Sequence, residues 1–153
     1  RAVRRTHRTV LSERRRIMIK AAICCGGGFS SSTMAEHIKK GIKVYHLEQE
    51  LSIEFCPFLL TSKKLDEFDI FILCPHLSRD VRKFNERYCR NNRPLYVLPI
   101  RMYGPVDVME LYTDIVDVME IFEQTRQNPV HFPDEPDALK VTRIKTYRHV
   151  HTQ

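Results

Sequence analysis

One stretch of the chain leaves its backbone few choices. Residues Met18-Ile19-Lys20-Ala21-Ala22-Ile23-Cys24 form a short apolar run of strand character. Cys25 ends it, and Gly26-Gly27-Gly28-Phe29-Ser30-Ser31-Ser32-Thr33 follow before a helix-like segment from Met34 to about Lys43. Strand, small-residue loop and helix N-terminus in that order make a cradle for a phosphate, because backbone N–H groups and the helix dipole point at one place. The same field favours a thiolate over a thiol at the loop entrance. Cys25 is therefore the candidate nucleophile, and its sulfur is expected at the mouth of the loop, open to solvent. The backbone N–H groups from Gly26 to Ser32 are the expected phosphate donors, with glycine allowing close approach and positive φ. Ser30, Ser31 and Ser32 add hydroxyls, unless one of them caps the helix instead.

From Met18 onward, strand-like and helix-like segments alternate. The second strand is read at Ser52–Leu60, with Pro57 pushing it toward a sheet edge. A short helix is read at 61–67, capped by Thr61 or Ser62. The third strand, Phe68–Cys74, is almost continuously apolar and stops at Pro75, as a strand buried on both faces should. Ser78 is read as the cap of a polar helix to about Asn91. Leu95–Ile100 makes a fourth strand, and Met102-Tyr103-Gly104-Pro105 turns the chain. Asp107 then starts an amphipathic helix to about Glu123, in which Val108, Leu111, Ile115, Val118, Met119 and Phe122 recur at helical spacing. This alternation predicts an α/β fold with a parallel sheet and helices on both faces. Ligands in such folds sit at the carboxyl ends of the strands, which gathers the loops at Cys25, Pro75-His76 and Tyr103-Gly104. After Thr125 the composition shifts: Pro129, Pro133 and Pro136 break regular structure, and 141–147 reads as an edge strand or a loose segment. The expected organisation is a basic arm over 1–17, disordered or an extension, a domain over 18–125 and a tail over 126–153.

Charge and cysteine usage narrow the function. Seven of the arginines fall in residues 1–17 against Glu13 alone, which accounts for the whole net charge of +6. The rest of the chain is neutral, so no nucleic-acid footprint is expected on the core domain. Five cysteines without a repeated spacing do not make a disulfide framework and suit a reducing cytoplasm. Cys56, Cys74 and Cys89 read as structural thiols, Cys89 with the option of exposure because it lies on a polar helix. A nucleotide P-loop is excluded, because no lysine occurs between Gly26 and Glu36. A cysteine phosphatase places an arginine six residues after its nucleophile; Ser31 stands there instead. Without that guanidinium, hydrolysis loses a large electrostatic contribution, whereas holding a phosphoryl group for passage to an acceptor does not require it.

Three segments carry a resemblance. Ile23-Cys24-Cys25-Gly26-Gly27-Gly28-Phe29-Ser30-Ser31-Ser32 resembles the active loop of lactose/cellobiose-type IIB components of the bacterial phosphoenolpyruvate-dependent sugar phosphotransferase system (PTS). Leu73-Cys74-Pro75-His76-Leu77 is similar to the segment after that family's third strand, with His76 in place of the usual Gln. Tyr103-Gly104-Pro105-Val106-Asp107 is similar to the opening of its last helix. The resemblance spans about 18–123. It implies a four-stranded parallel sheet of order 2-1-3-4, similar to low-molecular-weight tyrosine phosphatase. It implies that Cys25 takes a phosphoryl group from a phosphohistidine of the partner IIA and passes it to a sugar on the membrane component IIC. It also implies a cytoplasmic chain with peripheral association with IIC. Neither metal nor cofactor is expected; His76, Tyr103 and Asp107 are accessory candidates, Asp107 chiefly as a helix cap. The alternatives are an IIB-like regulatory domain of a transcription regulator and a small cysteine phosphatase.

Overall fold

A computed structural model describes residues 18–25, 29–103, 106–135, 137, 141, 143 and 145–151, with backbone alone for 29–31. The basic arm read at 1–17 and the glycines Gly26, Gly27, Gly28 and Gly104 lie outside the described residues. Four strands, β1 (Ile19–Cys24), β2 (Leu51–Phe55), β3 (Ile70–Leu73) and β4 (Leu95–Val97), form one sheet of order β2-β1-β3-β4. All three pairings are parallel. The parallel direction is that expected from the alternation of elements, and the order is that implied by the family resemblance.

Side chains alternate across the sheet with the period of a pleated strand. Ala21, Ile23, Cys25, Ile70, Ile72, Cys74 and Tyr96 face one core layer, with the helices α1 (Phe29–Val44) and α4 (Val108–Thr125). Ala22, Cys24, Phe71, Leu73, Leu95 and Val97 face the other, with Val81, Phe84 and Cys89. Ile70–Leu73 is buried throughout, as a central strand with both faces covered must be. In β2, Leu51 and Ile53 are buried while Glu54 is exposed, the pattern of an edge strand.

Several boundaries differ from those read in the sequence. β2 ends at Phe55, and Pro57 opens a four-residue helix, α2 (Phe58–Thr61), so the helix ends where the sequence reading began one and 62–67 holds turns. Proline fixes a φ suited to a helix start and lacks only a donor that a first turn does not need. The segment after β3 is a 3₁₀ turn, Pro75–Leu77, followed by α3 (Val81–Phe84) with Asp80, not Ser78, before its first turn. A π-helical turn over Asn85–Cys89 continues it, and left-handed Arg90 ends it. β4 is three residues long because its continuation runs into Pro99. The stretch after Thr125 adds no strand among the described residues: Tyr147–His151 forms a short helix, α5.

Candidate functional site

β1 lies between β2 and β3, so its carboxyl end opens at the centre of the sheet edge. Cys25 is the residue immediately after it, and α1 begins four residues later. Backbone bonds pin this strand end on both sides: Cys56 N–H donates to Ile23 O at 2.9 Å, Cys74 N–H to Cys24 O at 3.0 Å, and Phe58 N–H to Cys25 O at 3.3 Å. The first turn of the 16-residue α1 contains no acidic residue to oppose an anion at its N-terminus. Strand, loop and helix thus have the order and spacing of an anion cradle. Ser32 is half-buried and Thr33 exposed in the first turns of α1, and the side chains of Phe29, Ser30 and Ser31 lie outside the described residues.

The Cys25 side chain is 1% exposed and belongs to the core layer of α1. This differs from the solvent-facing sulfur expected of a loop mouth. The alternation of β1 explains it: Cys25 continues the face of Ala21 and Ile23, which is the covered one.

The loops after β3 and β4 meet at the same edge. His76 is exposed, Tyr103 is half-buried, and their rings stand 6.0 Å apart and nearly perpendicular. Asp107 is placed elsewhere. Its Oδ1 accepts from Met109 N–H at 2.9 Å and Glu110 N–H at 3.1 Å, capping α4. Its Oδ2 accepts from the Tyr45 hydroxyl at 3.0 Å, just past the C-terminus of α1. Sixteen residues at a rise of about 1.5 Å each put roughly 24 Å of helix between that contact and the Cys25 loop. The helix-cap role read for Asp107 is the one its contacts serve.

The other thiols fall into two environments. Cys89, read as a structural thiol with the option of exposure, is fully buried and donates to Arg93 O at 3.2 Å, and burial pushes its pKa up. Cys24 and Cys56 form a pair that sequence reasoning did not detect. The Thr61 hydroxyl lies 3.7 Å from each of their sulfurs. A hydrogen bond from Cys24, opposed by desolvation and helped by Thr61 and Lys64, lowers the Cys56 thiol to about 6. Cys24 is raised well above its ordinary value by the same bond and by burial. The sequence carried no signal for the pair, because Cys56 fell inside the strand read at Ser52–Leu60.

Residues 20–114 match the family described as PTS system, lactose/cellobiose specific IIB subunit. The chain belongs to that family. The matched segment holds Cys25, His76, Tyr103 and Asp107, and with them all four strands but for Ile19. A solved structure, the lactose-specific IIB component domain of the phosphoenolpyruvate:carbohydrate phosphotransferase system from Streptococcus pneumoniae, is similar at 16% identity and a TM-score of 0.43. That similarity covers 72% of this chain and 99% of the other. No curated protein matched the sequence. As an IIB family member the chain is a component of sugar phosphotransfer, a system in which IIB proteins work with IIA and IIC components. No helix among the described residues is long and apolar enough to cross a membrane.

Proposed function

We propose that Cys25 is the phosphoryl carrier of this IIB protein, receiving the group from a phosphohistidine of IIA and giving it to a sugar bound by IIC. The observation that carries the proposal is the position of Cys25. It directly follows the inner strand β1, one short loop before a 16-residue helix, inside the family-matched segment.

The thiolate attacks phosphorus in line with the departing histidine nitrogen. The S–P bond forms as the N–P bond breaks, and the electron pair stays on the nitrogen. A sugar hydroxyl then attacks the same phosphorus; the O–P bond forms as the S–P bond breaks, the electron pair leaves on the thiolate, and the hydroxyl proton passes to water. In this reading the amides of Gly26, Gly27, Gly28, Phe29, Ser30, Ser31 and Ser32 hold the nonbridging oxygens. His76, exposed beside Tyr103 at the same sheet edge, meets the incoming phosphohistidine ring. Because the sulfur is buried in the free chain, transfer requires it to become accessible when IIA docks. The carrier domain is assigned to 18–125, with 126–153 as a C-terminal tail and 1–17 as a basic arm. The protein works in the cytoplasm, docking peripherally on IIC.

Phosphoenolpyruvate, the general PTS enzymes and the cognate IIA should label the wild-type chain and Cys24→Ser but not Cys25→Ser. Label persisting in Cys25→Ser refutes the assignment. Aryl-phosphate turnover by the wild type, with no stable phosphoprotein, supports a cysteine phosphatase instead.

A further inference from the structure

Four of the five cysteines lie at strand ends along one edge of the sheet: Cys24 closing β1, Cys25 just after it, Cys56 just after β2 and Cys74 just after β3. Alternation sorts them into two pairs. Cys25 and Cys74 belong to the core layer of α1, whereas Cys24 and Cys56 belong to the opposite layer. The register Ile23↔Phe55, extended by one residue, sets Cys24 beside Cys56 on neighbouring parallel strands. Such strands lie about 4.8 Å apart, inside the Cα separation of about 4.4–6.8 Å that a disulfide spans. Both sulfurs lie 3.7 Å from the single hydroxyl of Thr61, so the side chains converge rather than diverge.

We infer that Cys24 and Cys56 are an oxidation site: a dithiol that peroxide closes to a disulfide, tying β1 to β2 one residue before Cys25. This inference is independent of the carrier role of Cys25. Cys56 is the thiol that reacts first, because its lowered pKa keeps it largely thiolate at neutral pH. Its sulfur attacks one peroxide oxygen, the O–O bond breaks, and the other oxygen leaves as hydroxide to be protonated to water. The Cys24 sulfur then attacks the resulting sulfenic sulfur. The S–O bond breaks, and a second water leaves with the Cys24 proton. Two thiols are oxidised and one peroxide is reduced. Access comes through α2, a helix of only four residues, with Leu59 87% and Leu60 42% exposed. An element with so little of itself buried opens at low free-energy cost, and opening it uncovers Cys56.

The test uses the reduced full chain treated with hydrogen peroxide, alkylated, digested with trypsin and mapped by mass. Peptide 21–39, carrying Cys24 and Cys25, should be found linked to peptide 44–63, carrying Cys56, in about tenfold excess over any other pairing. A dithiol reductant should release the two peptides. Cys25→Ser should retain the link and Cys56→Ala should lose it. Fragment ions of the wild-type peptide assign the linked sulfur even where a variant misfolds. Complete alkylation of Cys24 and Cys56 after peroxide, or a Cys25–Cys74 link in their place, overturns the inference.

Discussion

Asp107 shows how much one carboxylate at a boundary can settle. It satisfies two orphan N–H groups of α4 and holds the Tyr45 hydroxyl beyond the end of α1. Asp107→Ala should cost about 1 kcal/mol, in the range of lost N-caps, read as a lower urea midpoint with an unchanged slope. The cap was readable in the sequence because Asp just before an apolar period has a local meaning; the Tyr45 contact, 62 residues away, has none. Cys56 carries a pH signature. Its folded pKa of about 6 lies below the ordinary 9.0, so between those values the unfolded chain holds a proton that the folded chain has released. Stability should therefore rise with pH across that window and lose this contribution as pH falls through about 6. Cys24, raised above its ordinary value, works against stability only at higher pH. Urea titrations from pH 5.5 to 8.5 should show the rise, flattened in Cys56→Ala; a flat wild-type profile contradicts the shift.

At the level of elements, the strands were readable and the short helices were not. β1 and β3 announce themselves by continuous apolar runs, and α4 by its period, with Val108, Leu111, Ile115, Val118 and Phe122 all buried. Pro57 is ambiguous in a sequence: it marks a strand edge and a helix start equally well, and here it does both. Ser78 looked like a cap only because the 3₁₀ turn at Pro75–Leu77 leaves no periodic trace. The contact of α1 with α4 rests on a residue with no side chain. A Cβ at Gly41 would overlap Val108 Cγ2 and approach Val108 Cβ to 2.7 Å. Gly41→Ala gains helix propensity of about 1 kcal/mol but should still lower stability, because overpacking costs about 1–3 kcal/mol. Adding Val108→Ala should recover part of the loss in thermal unfolding.

Across the whole molecule, the segment after Thr125 is bound to the domain by a network that no local pattern announces. Asp114, fully buried, accepts from Tyr96 at 2.5 Å, Arg143 at 2.6 Å, Thr146 at 2.6 Å and Tyr147 N–H at 2.9 Å. Arg143 also reaches Glu135 at 2.8 Å. Val130 and Phe132 complete the core layer beneath. In the sequence, Arg143 sits in a stretch without apolar period and Asp114 on an otherwise amphipathic helix; their partnership exists only once the sheet has formed. Arg143→Ala should cost about 3–5 kcal/mol, since it leaves a buried carboxylate without its counter-charge, and thermal unfolding should show the loss. The loop proposed as carrier, by contrast, is a local sequence pattern, because strand, cysteine, glycines and hydroxyls lie within sixteen consecutive positions. The burial of Cys25 is not, because the covered face of β1 is set by α1 and α4. The most direct test is fragment-ion mapping of peptide 21–39 after phosphorylation through IIA. The phosphoryl mass is expected on Cys25, and finding it on Cys24 or His37, or on another peptide, contradicts the assignment.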